Sequence, residues 1–455
     1  MDSQIRDKEF RKVQIESNIP SFPQESTIIS TIIDFIKQNI EKGSLNECLF
    51  NICIISLGIG LLELPSKVQY LTFVLTPIFI SIYGVINHWT FTVLSDAAEK
   101  YNVNKYEDLI TAIFNPCFSK LFLCVNCFGL FTSILYYQIM LYKFFGGIYN
   151  EIFSYGFYNM DIFSKGSFWS EIDTRLIVCF STTIFILVPL CSIKTSSQMR
   201  FITAFGVFSI FLVIFIMIIQ CPSYYNYNIN ERRMTFNYLD FRPGFGPDLK
   251  FITSISTIIS AFGCHNGIFP AISSLSNPTK ERVDTVLKRV SIINTVSYLI
   301  IIFFGYLSQP QNTPELILEK EKVDYTDFLM TCSLILFSLS IIAKIGAFFN
   351  CLRSLVLSTL KFDLDNYSTS TNFFMIFFVF SFSTYITSCF PYISGYLSVI
   401  NMFYGIFIAC VIPGFIYIKS NDIAAYKKYL AFAFVLVVCV IGFSNFALNR
   451  NIWNY

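Results

Sequence analysis

Charged residues are scarce in this chain of 455 residues. Asp, Glu, Lys and Arg together make up 14% of it, whereas soluble globular proteins hold roughly 25%. The two signs nearly cancel, with 32 Lys and Arg against 30 Asp and Glu, and apolar residues account for 54%. This balance argues against a disordered scaffold, a nucleic-acid-binding protein and a set of soluble domains. The composition predicts a membrane protein that crosses the bilayer several times.

Histidine is also scarce, and the motifs of common hydrolases are missing. Only two histidines occur, and the chain contains no His-Glu-x-x-His, no Gly-x-Ser-x-Gly and no pair of intramembrane aspartates. We therefore expect no enzymatic activity. The 14 cysteines lie almost all within apolar runs, which favours buried thiols over a disulfide framework or a zinc site. Neither a metal nor a cofactor is expected.

Long apolar runs recur from residue 48 almost to the C-terminal end. A transmembrane helix needs about 20 apolar residues, and none of these runs shows the alternating pattern of a membrane barrel. The predicted fold class is an all-α polytopic membrane protein, with a transmembrane domain over residues 46–455 that follows a polar cytosolic tail over residues 1–45. The eleven predicted spans lie near residues 48–65, 71–94, 118–142, 174–192, 200–220, 251–272, 290–308, 328–358, 372–390, 393–418 and 429–448.

The distribution of basic residues predicts the orientation. With the N-terminus in the cytosol, one of the cytosolic loops carries Lys280 and Arg282, whereas the outer segment 310–327 is rich in acids. This arrangement follows the positive-inside rule. The segment 221–250 is an exception, because it would face outwards and yet holds several basic residues. No address signal distinguishes the plasma membrane from a vacuolar or lysosomal membrane.

Two of the predicted spans are interrupted by glycine and proline. The first reads Ser-Leu-Gly-Ile-Gly-Leu-Leu-Glu-Leu-Pro over residues 56–65, and the sixth reads Ala-Phe-Gly-Cys-His-Asn-Gly-Ile-Phe-Pro over residues 261–270. Glycine destabilises a helix interior and proline removes a backbone donor, so both segments are expected to unwind. Interruptions at corresponding places in two halves of a chain point to the binding site of a secondary transporter. The alternative is that these glycines only allow close helix packing.

A helix that breaks inside the membrane exposes backbone groups. Free amides at one half-helix suit a carboxylate, and free carbonyls at the other suit an ammonium group or a metal cation. A site with both features fits a zwitterion, that is, an amino acid. The predicted substrate-binding residues in the two breaks are Ser56, Gly58, Ile59, Gly60, Leu61, Phe262, Gly263, Cys264 and His265.

These residues resemble the amino acid/auxin permease family of secondary transporters. The family's glycine-rich first span, which ends in Leu-Pro, is matched by Gly58, Gly60, Leu64 and Pro65. The sixth span, with its Ala-Phe-x-Cys-His sequence from residue 261, is similar to that of the neutral amino acid branch. The resemblance implies an architecture of two inverted five-helix repeats plus one further helix. These three parts would cover residues 46–220, 251–418 and 429–448.

The resemblance also implies a function. It suggests a monomer that moves neutral or aromatic amino acids by alternating access, with the pocket lined in part by a tyrosine of the third span, Tyr136. The expected partners are the amino acid, protons if transport is a proton symport, and membrane lipids, but no nucleic acid. An alternative function is an amino acid sensor that binds its substrate with little transport.

Two charges are predicted in the middle of the membrane. Glu63 stands where the family has glycine, and Lys344 falls where the resemblance places a sodium-binding hydroxyl on the eighth span. An unpaired charge at a helix centre costs about 2.5–3.5 kcal/mol on insertion scales, so we hypothesise that the two residues form an ion pair or a proton site beside the pocket. A static structural pair is the alternative. The lysine favours sodium-independent transport, and Glu63 is the candidate acid for proton coupling.

His265 has two interpretations. A histidine in a membrane core is often held by hydrogen bonds as a packing residue. It can also line a pocket or respond to pH near neutrality.

Overall fold

The computed structural model describes most of the predicted membrane domain. Residues 1–39 lie outside the described part, so the prediction of a polar tail is not addressed, and neither is most of the 221–250 segment. The described residues are 40–156, 179–194, 197–230, 249–310, 313–320, 327–360, 367–390, 393–420 and 425–448.

Within these ranges the secondary structure is helical, and no residue lies in a β-strand. Apolar runs of this length form helices in a bilayer because a helix satisfies its backbone hydrogen bonds within one segment. A short 3₁₀ helix, η1 (Ile317–Glu319), follows the tenth helix. The helices in chain order are α1 (Leu45–Ser56), α2 (Ile59–Leu71), α3 (Leu75–Tyr101), α4 (Tyr106–Ile113), α5 (Pro116–Gly156), α6 (Cys179–Cys191), α7 (Arg200–Asn230), α8 (Lys250–Ala261), α9 (His265–Ile272), α10 (Lys280–Ser308), α11 (Phe328–Thr359), α12 (Thr369–Cys389), α13 (Ser394–Ser420) and α14 (Ala425–Leu448).

The predicted spans agree with these helices. In the described part, nine segments are long and apolar enough to cross a membrane, counting α8 with α9 as one, and α1 with α2 adds a span bent by 48° at its break. The remaining predicted span, near 174–192, corresponds to α6, a shorter apolar helix described from Cys179. The all-α polytopic class is therefore confirmed, as are the discontinuities in the first and sixth spans.

Three helices extend well beyond the predicted spans. Helix α5 runs to Gly156 instead of ending near residue 142, α7 runs to Asn230 instead of ending near residue 220, and α10 starts at Lys280 instead of near residue 290. At about 1.5 Å per residue, each of these helices is longer than the hydrocarbon core of about 30 Å. Hydropathy detects only the part within the core, because a polar extension in water remains helical without being apolar.

The two broken spans run in opposite directions at the centre of the bundle. Helix α1 packs against α9, and α2 packs against α8, so the first half of one span meets the second half of the other. Helix α10 contacts both α1 and α2, while α11 joins α5 and α7 and also touches α1. This packing brings the two breaks to the same depth, facing each other.

Large apolar side chains cover the outside of the bundle. On α12 the phenylalanines Phe373, Phe374, Phe377 and Phe378 are each at least 60% exposed. A soluble protein rarely exposes so large an apolar patch. The surface of α12 is therefore suited to contact with lipid.

Candidate functional site

The first break separates α1 from α2. Helix α1 ends at Ser56, and α2 starts at Ile59 with Gly58 as its N-cap, which has no side chain to bond the amides of the first turn. The carbonyl of Gly58 accepts from the amide of Leu61 at 2.9 Å. The first amides of α2 are left without partners inside the helix, as at every helix N-terminus. The break therefore offers free donors near the middle of the membrane.

The second break separates α8 from α9. Helix α8 ends at Ala261, residues 262–264 are not helical, and α9 begins at His265. The amide of Gly263 bonds the carbonyl of Ser260 at 2.9 Å, and the amide of Gly267 bonds the carbonyl of Cys264 at 2.9 Å. The last carbonyls of α8 face the break, where a cationic group can bind them.

Tyr298 on α10 lies between the two breaks. Its hydroxyl is 2.6 Å from the carbonyl oxygen of Ala261 and 3.1 Å from that of Ser56. Its ring packs edge-on against Phe262, with 4.7 Å between the ring centres. One hydroxyl therefore holds the carbonyl ends of α1 and α8 close together.

A cavity of about 90 Å³ lies between the breaks. Its wall includes side chains from the first, third, sixth, eighth and tenth spans. Both candidate charges, Glu63 and Lys344, belong to this wall. The predicted binding residues that line it are Ser56, Ile59, Gly60, Tyr136, Gly263, Cys264 and His265.

Three predicted binding residues lie outside the cavity wall. Leu61 is fully buried and, one residue after Gly60, is rotated by about 100° around α2. Phe262 is also fully buried, with its ring against those of Tyr83 and Tyr298. Gly58 faces the side chain of Lys344, which fills the space that a Cβ atom at this glycine would need.

Glu63 and Lys344 share the cavity but do not form the hypothesised ion pair. Glu63 Oε1 accepts a hydrogen bond from the hydroxyl of Tyr136 at 2.8 Å. Lys344 Nζ lies 4.9 Å from the centre of the Tyr137 ring. Lys344 sits beside Gly58, and Glu63 lies five positions further along the chain, about 7.5 Å along the helix axis. The two charges therefore occupy different ends of one wall.

His265 has features of both interpretations. Its Nε2 atom is 2.9 Å from the hydroxyl of Thr90, and its ring centre is 4.8 Å from that of Phe91. The side chain is fully buried and also contributes to the cavity wall. It is a packed residue that borders the pocket.

Several cavity residues were missed by the sequence analysis, and the largest group of them lies on α13. Asn401 Oδ1 accepts from the hydroxyl of Thr132 at 3.0 Å, and the Tyr404 hydroxyl donates to Asn126 Oδ1 at 2.7 Å. Asn266 on α9 donates to the Tyr404 hydroxyl. A π-helical turn follows at Phe407–Val411, and such turns are frequent at functional sites, but this feature is visible only in the structure.

A second cavity of about 520 Å³ lies on the side of the membrane where α1 begins. Asn266 belongs to the walls of both cavities, so the two are contiguous at this residue. The larger cavity is bordered by basic side chains, among them Lys42 and Lys105, and by Glu107.

On the opposite side of the membrane, η1 packs against α2 and buries Leu316, Ile317 and Leu318. The side-chain amide of Gln69 on α2 donates to the carbonyl of Thr313, at 3.2 Å. The ring of Pro65 fills the space beside Gly305, where a Cβ atom would collide with it. These contacts cover the central cavity on this side.

The described residues hold no group of three or more His, Cys, Asp and Glu side chains that could bind a metal ion. The cysteines, all of which fall in the described ranges, are free thiols.

The sequence model of a family described as "transmembrane amino acid transporter protein" matches residues 41–449 of the chain. The chain belongs to this family. The match includes both breaks and every residue of the cavity wall, so the site described above belongs to an amino acid transporter. The suspected membership of the amino acid/auxin permease family is confirmed.

The fold of this transporter is similar to that of a solved structure, "Crystal structure of MhsT in complex with L-phenylalanine". The two share 10% sequence identity with a TM-score of 0.50, and the similarity covers 90% of this transporter and 99% of that chain. At this identity the similarity concerns the fold alone. No curated protein sequence is a significant match to this transporter.

Proposed function

We propose that this protein is a secondary transporter that moves neutral or aromatic amino acids by alternating access. The observation that carries the proposal is the pair of opposed helix breaks on one cavity. The N-terminal end of α2 offers amides, and the C-terminal end of α8 offers carbonyls, so a zwitterion is bound at both of its charges. The structural neighbour MhsT was solved in complex with L-phenylalanine, which is an aromatic amino acid.

The pose of the substrate follows from the charges. Its carboxylate binds the first amides of α2, near Ile59 and Gly60, with the ammonium group of Lys344 beside them. Its amino group binds the carbonyls at the end of α8, which can accept a second hydrogen bond in addition to that from Tyr298. Its side chain then lies among the aromatic rings of the wall, which include Tyr136, Tyr137 and Phe348. These rings favour an apolar or aromatic side chain.

The two cavities support alternating access. The central site adjoins the larger cavity on the side of α1, and η1 covers it on the opposite side. With the N-terminus in the cytosol, as the positive-inside rule predicts, this is an inward-facing state. Transport to the other side then requires α2 to separate from η1 while the larger cavity closes.

Lys344 supports sodium-independent transport. Its side-chain nitrogen lies against Gly58 at the junction of α1, α2 and α11 and, as an ammonium group, supplies a positive charge there. A sodium ion at the same place would have to bind next to this charge, and like charges at contact distance repel. The ammonium group therefore takes the place of a coupling metal ion.

The test is counterflow of radiolabelled amino acids in proteoliposomes that contain the purified protein. We expect labelled phenylalanine or another neutral amino acid to exchange against an internal unlabelled pool, equally well with sodium and with choline. Lys344→Met should abolish exchange, whereas Lys288→Met, which removes an exposed lysine of α10 outside the cavity wall, should retain it. Binding without exchange would instead identify an amino acid sensor, and a strict requirement for sodium would refute the role of Lys344.

A further inference from the structure

The wall of the central cavity carries one carboxylate, that of Glu63, and one ammonium group, that of Lys344. The substrate pose proposed above uses Lys344 and the ends of the broken helices. It gives Glu63 no partner on the substrate. The carboxylate is therefore a second charged group of the site. The transport of a neutral zwitterion does not explain its role.

Glu63 lies on the cavity face of α2 at some distance from the carboxylate-binding end. Ile59, Gly60 and Glu63 line the cavity together because residues three and four apart share a helix face. The rise from Gly58 to Glu63 is about 7.5 Å. An amino acid with its carboxylate at the start of α2 and an extended lysyl or arginyl side chain along this face brings its terminal cation close to Glu63.

The Glu63 carboxylate is not paired with a basic side chain of the described residues. One oxygen accepts from the Tyr136 hydroxyl, and no described residue forms an ion pair with Glu63. The ionisable groups that act on it are Lys67 on α2 itself, Tyr136 and Tyr137 on α5, and Glu315 just before η1. Lys67 attracts the carboxylate without forming an ion pair with it, the two tyrosines are neutral hydroxyls, and Glu315 repels it. A carboxylate in the membrane interior that lacks a bound cation is unfavourable unless it takes up a proton.

We infer that Glu63 is a specificity-determining residue. Its carboxylate must be neutralised by one positive charge whenever a substrate is bound. That charge is either the cationic side chain of lysine, arginine or ornithine, or a proton carried together with a neutral amino acid. The inference rests on the proposed transport function and extends its substrate class to cationic amino acids.

The two modes move the same net charge. In the neutral mode Glu63 binds a proton from one side, becomes a carboxylic acid while the zwitterion is bound, and releases the proton on the other side. In the cationic mode the carboxylate stays ionised and forms a salt bridge with the side chain of the substrate. Each cycle moves one positive charge across the membrane in either mode. Uptake of both substrate types therefore responds to the membrane potential, but only the neutral mode responds to a proton gradient.

The experiment compares the wild type, Glu63→Gln and Glu281→Gln in the same proteoliposomes. Labelled lysine and labelled phenylalanine are measured in counterflow at mildly acidic and at neutral pH, and in uptake driven by a proton gradient or by a potassium diffusion potential. Glutamine keeps the acceptor for Tyr136 and mimics a permanently protonated Glu63. The control, Glu281→Gln, removes an exposed carboxylate on α10 that neither borders the cavity nor acts on Glu63.

We expect the wild type and Glu281→Gln to exchange both amino acids, with proton-driven uptake of phenylalanine only. Glu63→Gln should lose lysine exchange by about tenfold or more, the effect of one charged hydrogen bond. Its phenylalanine exchange should persist at equal rates at both pH values, without proton-driven uptake.

Three results would overturn the inference while leaving the transport function intact. These are phenylalanine exchange without lysine exchange in the wild type, undiminished lysine exchange in Glu63→Gln, and proton-driven phenylalanine uptake in that variant. If Glu63→Gln loses all exchange, Glu63→Asp distinguishes a role of the charge from a structural role. Recovery of lysine exchange by the shorter acid supports the charge role, and failure to recover assigns Glu63 a structural role instead. A wild type that exchanges no amino acid refutes the transport function itself.

Discussion

The hydroxyl of Tyr298 lies 2.6 Å from the carbonyl oxygen of Ala261, the last residue of α8 before the second break. The same hydroxyl is 3.1 Å from the carbonyl oxygen of Ser56, the last residue of α1 before the first break. Tyr298 thus links the two interruptions of the backbone through a single group. Its position explains how two separate breaks stay at the same depth.

Tyr298→Phe should weaken this link. The substitution keeps the ring that packs on Phe262 and removes the donor to the two carbonyls, so we expect a loss of about 1 kcal/mol in the free energy of unfolding. Substrate affinity should also fall, because the carbonyls that bind the amino group are no longer held in place. Thermal unfolding in detergent and counterflow measure the two effects. Tyr417→Phe is the control, since its ring packs against Trp89 and its hydroxyl forms no hydrogen bond with a described residue. Equal behaviour of the two variants would contradict the prediction.

Gly58→Ala should displace the ammonium group of Lys344. A Cβ atom at this position would occupy the place of Nζ, and the flexible lysine can move away. We therefore expect a folded protein with exchange reduced by about tenfold, the effect of some 1.4 kcal/mol at the site. Size-exclusion chromatography and counterflow provide the measurements.

Gly442→Ala is the matched control for this substitution. The atoms nearest to a Cβ at Gly442 are 3.5 Å or more away, which is ordinary contact. Full exchange by Gly58→Ala would show that the position of Lys344 is unimportant.

Arg353 at the end of α11 caps the end of α6. Its guanidinium group donates to the carbonyls of Cys191, Ile193 and Lys194, at 3.0, 2.8 and 2.7 Å. Lysine cannot reproduce this planar set of donors, so Arg353→Lys should lower the free energy of unfolding by about 2 kcal/mol. The control is Arg289→Lys on the exposed face of α10. Unchanged thermal stability of Arg353→Lys would contradict the capping role.

Lys320, which follows η1 outside the membrane spans, should make stability depend on pH. Burial lowers the pKa of its amine to about 7, although Asp327 acts in the opposite direction. Its Nζ lies 3.5 Å from the centre of the Tyr224 ring. In the unfolded chain the pKa is about 10.4, so between pH values of about 7 and 10 the unfolded state binds the proton and the folded state does not. Stability contributed by this group therefore rises with pH through that window and is constant below it.

The measurement for Lys320 compares the unfolding temperature of wild type and Lys320→Met across this window. The wild type should gain stability relative to the variant as the pH rises. Lys288→Met, on the exposed surface of α10, should follow the wild type. A constant difference between wild type and Lys320→Met at all pH values would contradict the prediction.

Some features of the fold could be predicted because their cause is local. Hydropathy located the spans, since each apolar helix satisfies its own backbone and needs only lipid or a neighbour around it. The glycines and prolines of the first and sixth spans predicted both breaks for the same reason, because unwinding depends on residues within one turn. The ends of α7 and α10 escaped this reasoning, since their last or first turns are polar and still helical.

The composition of the site was harder to predict. Asn401 and Tyr404 reach the cavity only because α13 packs against α5 and α8, and nothing near them in the chain points to the breaks. The hypothesised contact of Glu63 with Lys344 depended on a distance that the sequence does not contain. In the structure the lysine turns to Gly58 and the acid to Tyr136.

The sequence alone thus determined that this chain crosses a membrane as helices, that two of them are interrupted, and which family it belongs to. These properties follow from hydrophobicity, backbone conformation and motif, all of which are encoded within short segments. Only the tertiary structure decided which side chains meet between the interruptions and which charges stand apart. Such contacts join residues from distant parts of the chain, and they depend on how whole helices pack.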